Sequence, residues 1–153
     1  DRVCRIQPDE LYRSEQAISR RRLEGYLAAA KAAGRELPAE AVWHIPVNQH
    51  EQALMAAREA LQQAIRPSVL LCMSDRIALA AMMVARELAI DIPSQLVVVG
   101  FDGIEEGERF YPALTTIQQY SAEKGRLAAT RLLAGDLSGD VELQCDLVVR
   151  QSC

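Results

Sequence analysis

The sequence predicts an α/β fold, a parallel sheet flanked by helices on both faces. Short runs rich in Val, Ile and Leu alternate with longer stretches of helical periodicity, the pattern of successive βαβ crossovers. Residues 68–73 and 96–101 are almost continuously apolar, as strands covered on both faces must be. Alanine and leucine abound while aromatic residues make up 5% of the chain, which suits helices packed closely on a sheet.

The elements follow in order. Residues 3–6 form a first strand, stopped by Pro8. Ser14 caps a helix that runs to Ala33, on which Leu23, Tyr26, Leu27 and Ala30 recur at i, i+3, i+4 and i+7. Gly34 and Pro38 end it. Residues 41–47 make a second strand, broken by Pro46, and residues 49–65 a helix closed by Pro67. After the strand at 68–73, Ser74 caps a helix over 75–90. Pro93 precedes the strongest strand, 96–101. A polar loop with Glu105, Glu106 and Glu108 leads to Pro112. A short strand at 114–118, a helix over 121–134, a turn of Gly, Asp and Ser, and a last strand near 143–149 complete the chain. There is no internal repeat and no low-complexity segment.

Composition narrows the function. The 153 residues are 50% hydrophobic and 25% charged, enough for one ordinary domain with a real core. The net charge is −4 with both signs interspersed, whereas a surface that grips phosphates is usually basic. Arg20, Arg21 and Arg22 are the one dense basic cluster, and three consecutive residues fan around a helix. The chain by itself is therefore not expected to bind DNA. Cys4, Cys72, Cys145 and Cys153 lie far apart, without CxxC spacing or clustered His, and three of them sit in or beside apolar runs. They read as small buried hydrophobes, with no zinc site or disulfide frame. No signal-peptide pattern opens the chain and no apolar run is long enough to span a bilayer, so no membrane partner is expected. The chain opens mid-pattern at Asp1-Arg2-Val3-Cys4, as a piece of a longer protein would.

In open parallel sheets, ligands bind in the crevice beyond the carboxyl ends of the strands. The strand ending at Met73 delivers Ser74 and Asp75 to that edge, and the strand ending at Phe101 delivers Asp102 and Gly103. The first helix begins at the same edge, so Arg22 overhangs the crevice. Asp102 can accept paired hydrogen bonds from vicinal hydroxyls or ring nitrogens, and Phe101 offers an apolar face for a ring. The plainer role for Asp102 is to cap the next loop. Arg22 brings a rigid fork of donors suited to hydroxyls or a carboxylate. Ser74 and Asp75 suit a helix cap and a first-turn acid, with a secondary site role for Asp75.

The helix over 75–90 carries Ile77, Leu79, Met82, Met83, Val84, Leu88 and Ile90 with five alanines, leaving almost no polar face. The sheet covers one side, so a deep core or a subunit interface must cover the other. Paired methionines on a small domain favour an interface and nominate Ile77, Met82 and Met83 for a homodimer. Catalytic constellations are missing. His44 and His50 have no matched nucleophile or metal spacing, the three glutamates lack the alternation of a calcium loop, and neither GxGxxG nor GxxxxGKS/T occurs. No catalytic residue, metal or cofactor is expected, and the chain is not expected to be an enzyme.

Three segments, in order, resemble the LacI/GalR family of bacterial transcription regulators. They are Arg22-Leu-Glu-Gly-Tyr26, then Ser74-Asp75-Arg-Ile-Ala-Leu-Ala80 through Val97-Val-Val-Gly-Phe-Asp102, then Pro112-Ala-Leu-Thr-Thr-Ile-Gln-Gln119 with Gly125-Arg126 and the closing Leu147-Val-Val-Arg150. The resemblance implies one lobe of a two-lobed core like that of periplasmic sugar-binding proteins, and a cytoplasmic regulator. Residues 1–119 would form the C-terminal lobe, 120–142 a crossover helix and turn packed with a first lobe outside this chain, and 143–153 a strand returning to the lobe. A small effector (sugar, sugar derivative or purine) would bind between the lobes, held by Arg22 and Asp102 and lined by Phe101 and Ser74. Gln119 would sit at the hinge crossover. Operator DNA would be reached through a helix-turn-helix head outside this chain. Left without a first lobe, the helix over 121–134 is expected to fold back or to swap into a neighbour. A periplasmic sugar-binding protein of a transport system is the alternative, and the segment 114–119 with Gly125-Arg126 favours the regulator.

Overall fold

The computed structural model describes residues 4–5, 17–45 and 49–153. The expected cap at Ser14 lies outside these residues. The strands are β1 (Cys4–Arg5), β2 (Trp43–His44), β3 (Val69–Leu71), β4 (Val97–Asp102), β5 (Thr115–Gln118) and β6 (Asp146–Val148). The α-helices are α1 (Ala17–Ala32), α2 (His50–Leu61), α3 (Asp75–Glu87), α4 (Glu105–Arg109) and α5 (Ser121–Leu133). The short α4 occupies what the sequence suggested was a loop.

Local chemistry ends α1 close to where the sequence predicts and caps the start of α3 at the expected residue, while α2 and α3 stop at Leu61 and Glu87, short of the expected 65 and 90. Gly34 takes φ 67, and Arg35 N reaches back to Ala30 O at 2.9 Å, closing α1. Ser74 caps α3 by accepting from Ile77 N at 3.3 Å. At the other end Ala89 turns to φ 52, and Ile90 N donates to Ala85 O at 2.8 Å.

The main sheet is mixed, in the order β3-β4-β5-β6. β3, β4 and β5 run parallel, with Val97 beside Val69 and Thr115 beside Val99. β6 is antiparallel on the edge, with Leu147 opposite Ile117. β1 and β2 do not join this sheet. They pair with each other, antiparallel, which corrects the expectation that all early strands lie in one parallel layer. Each is two residues long, and Trp43 and His44 would carry polar groups into a layer covered on both sides.

Residues 98 and 100 of β4 face α3, and residues 97, 99 and 101 face the other side. On the α3 side, α2 and α3 bury a core that includes Leu61, Cys72, Met82, Val84, Leu96, Val98 and Leu114. α1 lies on the opposite side, near the carboxyl ends of the strands, where Arg22 covers Phe101. The rest of that face stays open: Val69, Leu71, Leu147 and Val149 are each about half exposed. The last residues stitch the lower end of the sheet. Ser152 is fully buried, donates to Val98 O at 2.6 Å and accepts from Thr115 N at 2.8 Å.

Two sequence expectations need correction. α3 is not apolar on all sides. Its buried side meets the sheet and α2, while Arg76, Met83, Arg86 and Glu87 form an exposed stripe. Met82 is 1% exposed inside the monomer core and so cannot meet a partner; Ile77 packs against the core, and Met83 is 38% exposed. Of the two courses expected of α5, it does not take the first: it does not fold back, since it buries no residue and leaves Leu132 and Leu133 in solvent, while exchange with a neighbour stays a proposal.

Candidate functional site

Four sequence-nominated residues meet at the carboxyl ends of β3, β4 and β5. The guanidinium of Arg22, from α1, lies over the Phe101 ring with 3.8 Å to the centroid. Its Nη1 donates to Met73 O, just past β3, and its Nη2 sits 3.6 Å from Asp102 Oδ1. Gln119, just past β5, donates from Nε2 to the same carboxylate oxygen at 2.6 Å. Its Oε1 accepts from Lys124 Nζ of α5 at 3.1 Å. A continuous polar chain therefore runs Arg22, Asp102, Gln119, Lys124, from the sheet edge into α5.

The stacked, tethered Arg22 is held in one orientation. Its side chain is 18% exposed, and a cation over an aromatic face gains about 0.5–2 kcal/mol as solvent is excluded. Asp102 is a third exposed and sits at the rim. Burial raises its carboxyl above the ordinary aspartate range; Arg22 and the Gln119 hydrogen bond oppose that rise, Asp75 adds to it, and Lys124 opposes it. The backbone at Asp102 takes φ 129, a region that L side chains rarely adopt and that clusters at functional sites.

Tyr26, one turn along α1 from Arg22, is partly buried; burial raises its hydroxyl, Cys72 adds to the rise and Arg22 opposes it. The Cys72 thiol is pushed up to about 12 by burial and by Asp75, which makes it inert. Cys72 is buried, as the reading of cysteines in apolar runs expects, whereas Cys145 and Cys153 are exposed. Among the described residues, no group of three or more His, Cys, Asp or Glu could hold a metal ion. No described helix is long and apolar enough to cross a membrane.

Ser74 departs from its expected place in the lining. It is 5% exposed, and its hydroxyl is committed to capping α3. Asp75 stands in the first turn of α3, as expected, and its carboxylate has further partners. Fully buried, it accepts from the backbone amides of Gly103 and Ile104, both at 2.8 Å, and from Thr116 Oγ1 at 2.5 Å. Sequence reasoning placed Asp75 beside the site without finding those partners and did not nominate Lys124. The signal for Asp75 was Gly100: a Cβ there would lie 2.1 Å from Asp75 Oδ1.

A family model described as the periplasmic binding protein-like domain matches residues 10–153. The HTH-type transcriptional repressor PurR of Vibrio vulnificus (strain CMCP6) is 34% identical over 144 residues, 90% of this chain and 42% of the relative. The ribose operon repressor of Haemophilus influenzae (strain ATCC 51907 / DSM 11121 / KW20 / Rd) is 33% identical over 122 residues, 78% of this chain and 36% of the relative. The chain thus spans less than half the length of these curated relatives. Among solved structures, a LacI-type transcription regulator from Bifidobacterium animalis subsp. lactis DSM 10140 superposes with a TM-score of 0.79 at 25% identity, over 92% of this chain and 52% of that one. The transcriptional regulator CelR in complex with cellobiose does so with a TM-score of 0.71 at 30% identity, over 86% and 42%. The chain belongs to the periplasmic binding protein-like domain family, with its relatives among the LacI/GalR-type transcription regulators.

Proposed function

We propose that this chain is the effector-sensing and dimerising part of a cytoplasmic bacterial transcription regulator. A small polar effector (a sugar, sugar derivative or purine) binds between this lobe and a second one. Binding changes the operator affinity of a helix-turn-helix head outside this chain. The observation that carries the reading is the convergence of Arg22, Phe101, Asp102 and Gln119 at the carboxyl ends of parallel strands, where ligands of open α/β sheets bind.

The chemistry suits hydroxylated or ring-nitrogen ligands. A carboxylate accepts two donors in one plane, and a guanidinium anchored on Phe101 offers its remaining N–H groups in fixed directions. A hydroxyl arriving at Asp102 competes with Gln119 for its lone pairs. Gln119 stands at the head of the crossover, so occupancy at Asp102 biases how α5 and its lobe sit; the effector acts by its differential affinity for two arrangements. The repressor relatives favour this reading over a transport protein, and the cellobiose complex of CelR favours a sugar.

Homodimerisation is assigned to the outer side of α2 and α3. Arg58 pairs with Glu87 at 2.5 Å across these helices. Met55 and Met83 each precede one member of that pair by about a turn and are 55% and 38% exposed.

The test is thermal unfolding of the intact protein against a panel of hexoses, pentoses, disaccharides, sugar acids and purines. A ligand at a hundred times its Kd adds about 2.7 kcal/mol and raises the melting temperature by several degrees. Arg22→Ala and Asp102→Ala should each remove that rise while operator binding persists. An undiminished rise in either variant takes that residue out of the site.

A further inference from the structure

We propose that Asp75 is the positioning residue that sets the direction of Asp102. The inference rests on the effector reading above and adds a residue to that site. β4 ends at Asp102, and the two amides that follow it, those of Gly103 and Ile104, converge on one oxygen, Asp75 Oδ2. The other oxygen, Oδ1, accepts from Thr116 on the neighbouring strand. One buried carboxylate thus ties the start of α3, the loop after β4 and the middle of β5 into a single joint.

That joint lies immediately downstream of the strained residue. Asp102 at φ 129 holds a backbone conformation that relaxes unless its surroundings over-determine it, and it is followed by Gly103 at φ 75, which only glycine adopts freely. Two charge-assisted hydrogen bonds on consecutive amides supply that constraint, and such bonds are about twice as strong as neutral ones. With the backbone fixed on both sides, the Cα–Cβ bond of Asp102 points at Gln119 and Arg22.

The neighbours make room for this arrangement and for no larger one. A side chain at Gly100 would collide with Asp75 Oδ1 at 2.1 Å, and one at Gly103 would meet Gln118 Oε1 at 2.2 Å. Asp75 itself is fully buried, so it acts on the effector site through Asp102 and cannot touch the ligand.

The experiment uses the intact protein carrying Asp75→Asn, with Val84→Ala as a control that loosens the same helix from the core without contacting the loop. The binding probe is the panel compound that stabilises the wild-type protein most. Hydrogen exchange followed by mass spectrometry reads the amides of residues 103 and 104 with no ligand present. Asp75→Asn keeps the fold but replaces a charged acceptor by a neutral one. It should speed exchange at these two amides by about tenfold or more and weaken probe affinity by about tenfold. The Val84→Ala control should lower the melting temperature while leaving affinity within about twofold. Unchanged exchange at 103–104 in Asp75→Asn overturns the proposal whatever the probe does. So does wild-type probe affinity in Asp75→Asn when Asp102→Ala has lost it. Wild-type affinity in Asp102→Ala instead sinks the effector reading, and the assignment of Asp75 falls with it.

Discussion

Asp102 holds its charge at a rim where burial works against it, and that tension has a pH signature. Its folded pKa is raised, so without ligand the protonated form is favoured by the fold; this group adds stability at acid pH that is lost as pH rises through the folded pKa. Effector binding runs the other way, because a protonated carboxyl loses an acceptor site and its pairing with Arg22. Affinity should therefore fall with acidification and begin to fall above the ordinary aspartate range. Titration calorimetry from neutral pH down through the ordinary aspartate range reads this, with Asp102→Asn as the variant that abolishes the dependence along with most of the affinity. A flat profile in the wild-type protein would mean that the ligand does not engage an ionised Asp102. Arg22, Phe101 and Asp102 were legible in the sequence, because strand ends announce themselves by apolar runs and the first helix begins at the same edge. The role of Asp75 was not. Its partners are backbone amides 28 and 29 residues away and the Thr116 hydroxyl 41 residues away, and beyond the space left at Gly100 no sequence pattern marks them.

At the scale of the element, α3 shows how far periodicity reaches. Ser74, the parallel β3–β4–β5 core and the stop at Gly34 all follow from caps, apolar runs and breakers that act within a few residues. The covering of a helix does not, because it depends on which neighbour arrives. Here α2 covers the side that composition left open, and adjacent methionines part company: Met82 enters the core and Met83 stays outside. Met82→Ala should cost roughly 2–5 kcal/mol and leave the oligomeric state unchanged if the protein still folds. Met83→Glu should cost less than about 1 kcal/mol of monomer stability yet place a charge in the assigned dimer face. Equilibrium sedimentation and denaturant unfolding separate the two. A dimer that survives Met83→Glu moves the interface elsewhere. The pairing of β1 with β2 was equally out of reach, since two-residue strands leave too little pattern to choose a partner.

At the scale of the whole molecule, the lobe has one well-covered sheet face, one largely open face and a helix with no buried residue. Leu132, Leu133 and Leu137 are 65%, 88% and 78% exposed, and monomeric proteins seldom leave large side chains grouped in this way unless something docks there. Lys124 ties the start of α5 to Gln119, while Arg131 ties the turn that follows to the helix through Asp136. The resemblance assigns its apolar side to a first lobe, and the exposure supports that assignment. Each leucine buried there would contribute about 1.5–3 kcal/mol. Leu132→Gln with Leu133→Gln should then leave the unfolding of the isolated chain within about 1 kcal/mol, because little buried area is lost, and should reduce its self-association. In the intact protein the same pair should lower the melting temperature by several degrees and blunt the operator response to effector, since a lobe that no longer grips α5 cannot transmit a shift of Gln119. Calorimetry on both forms, with light scattering for the isolated chain, decides it. Equal melting temperatures for wild-type and variant intact protein would show that this side of α5 contacts no second lobe.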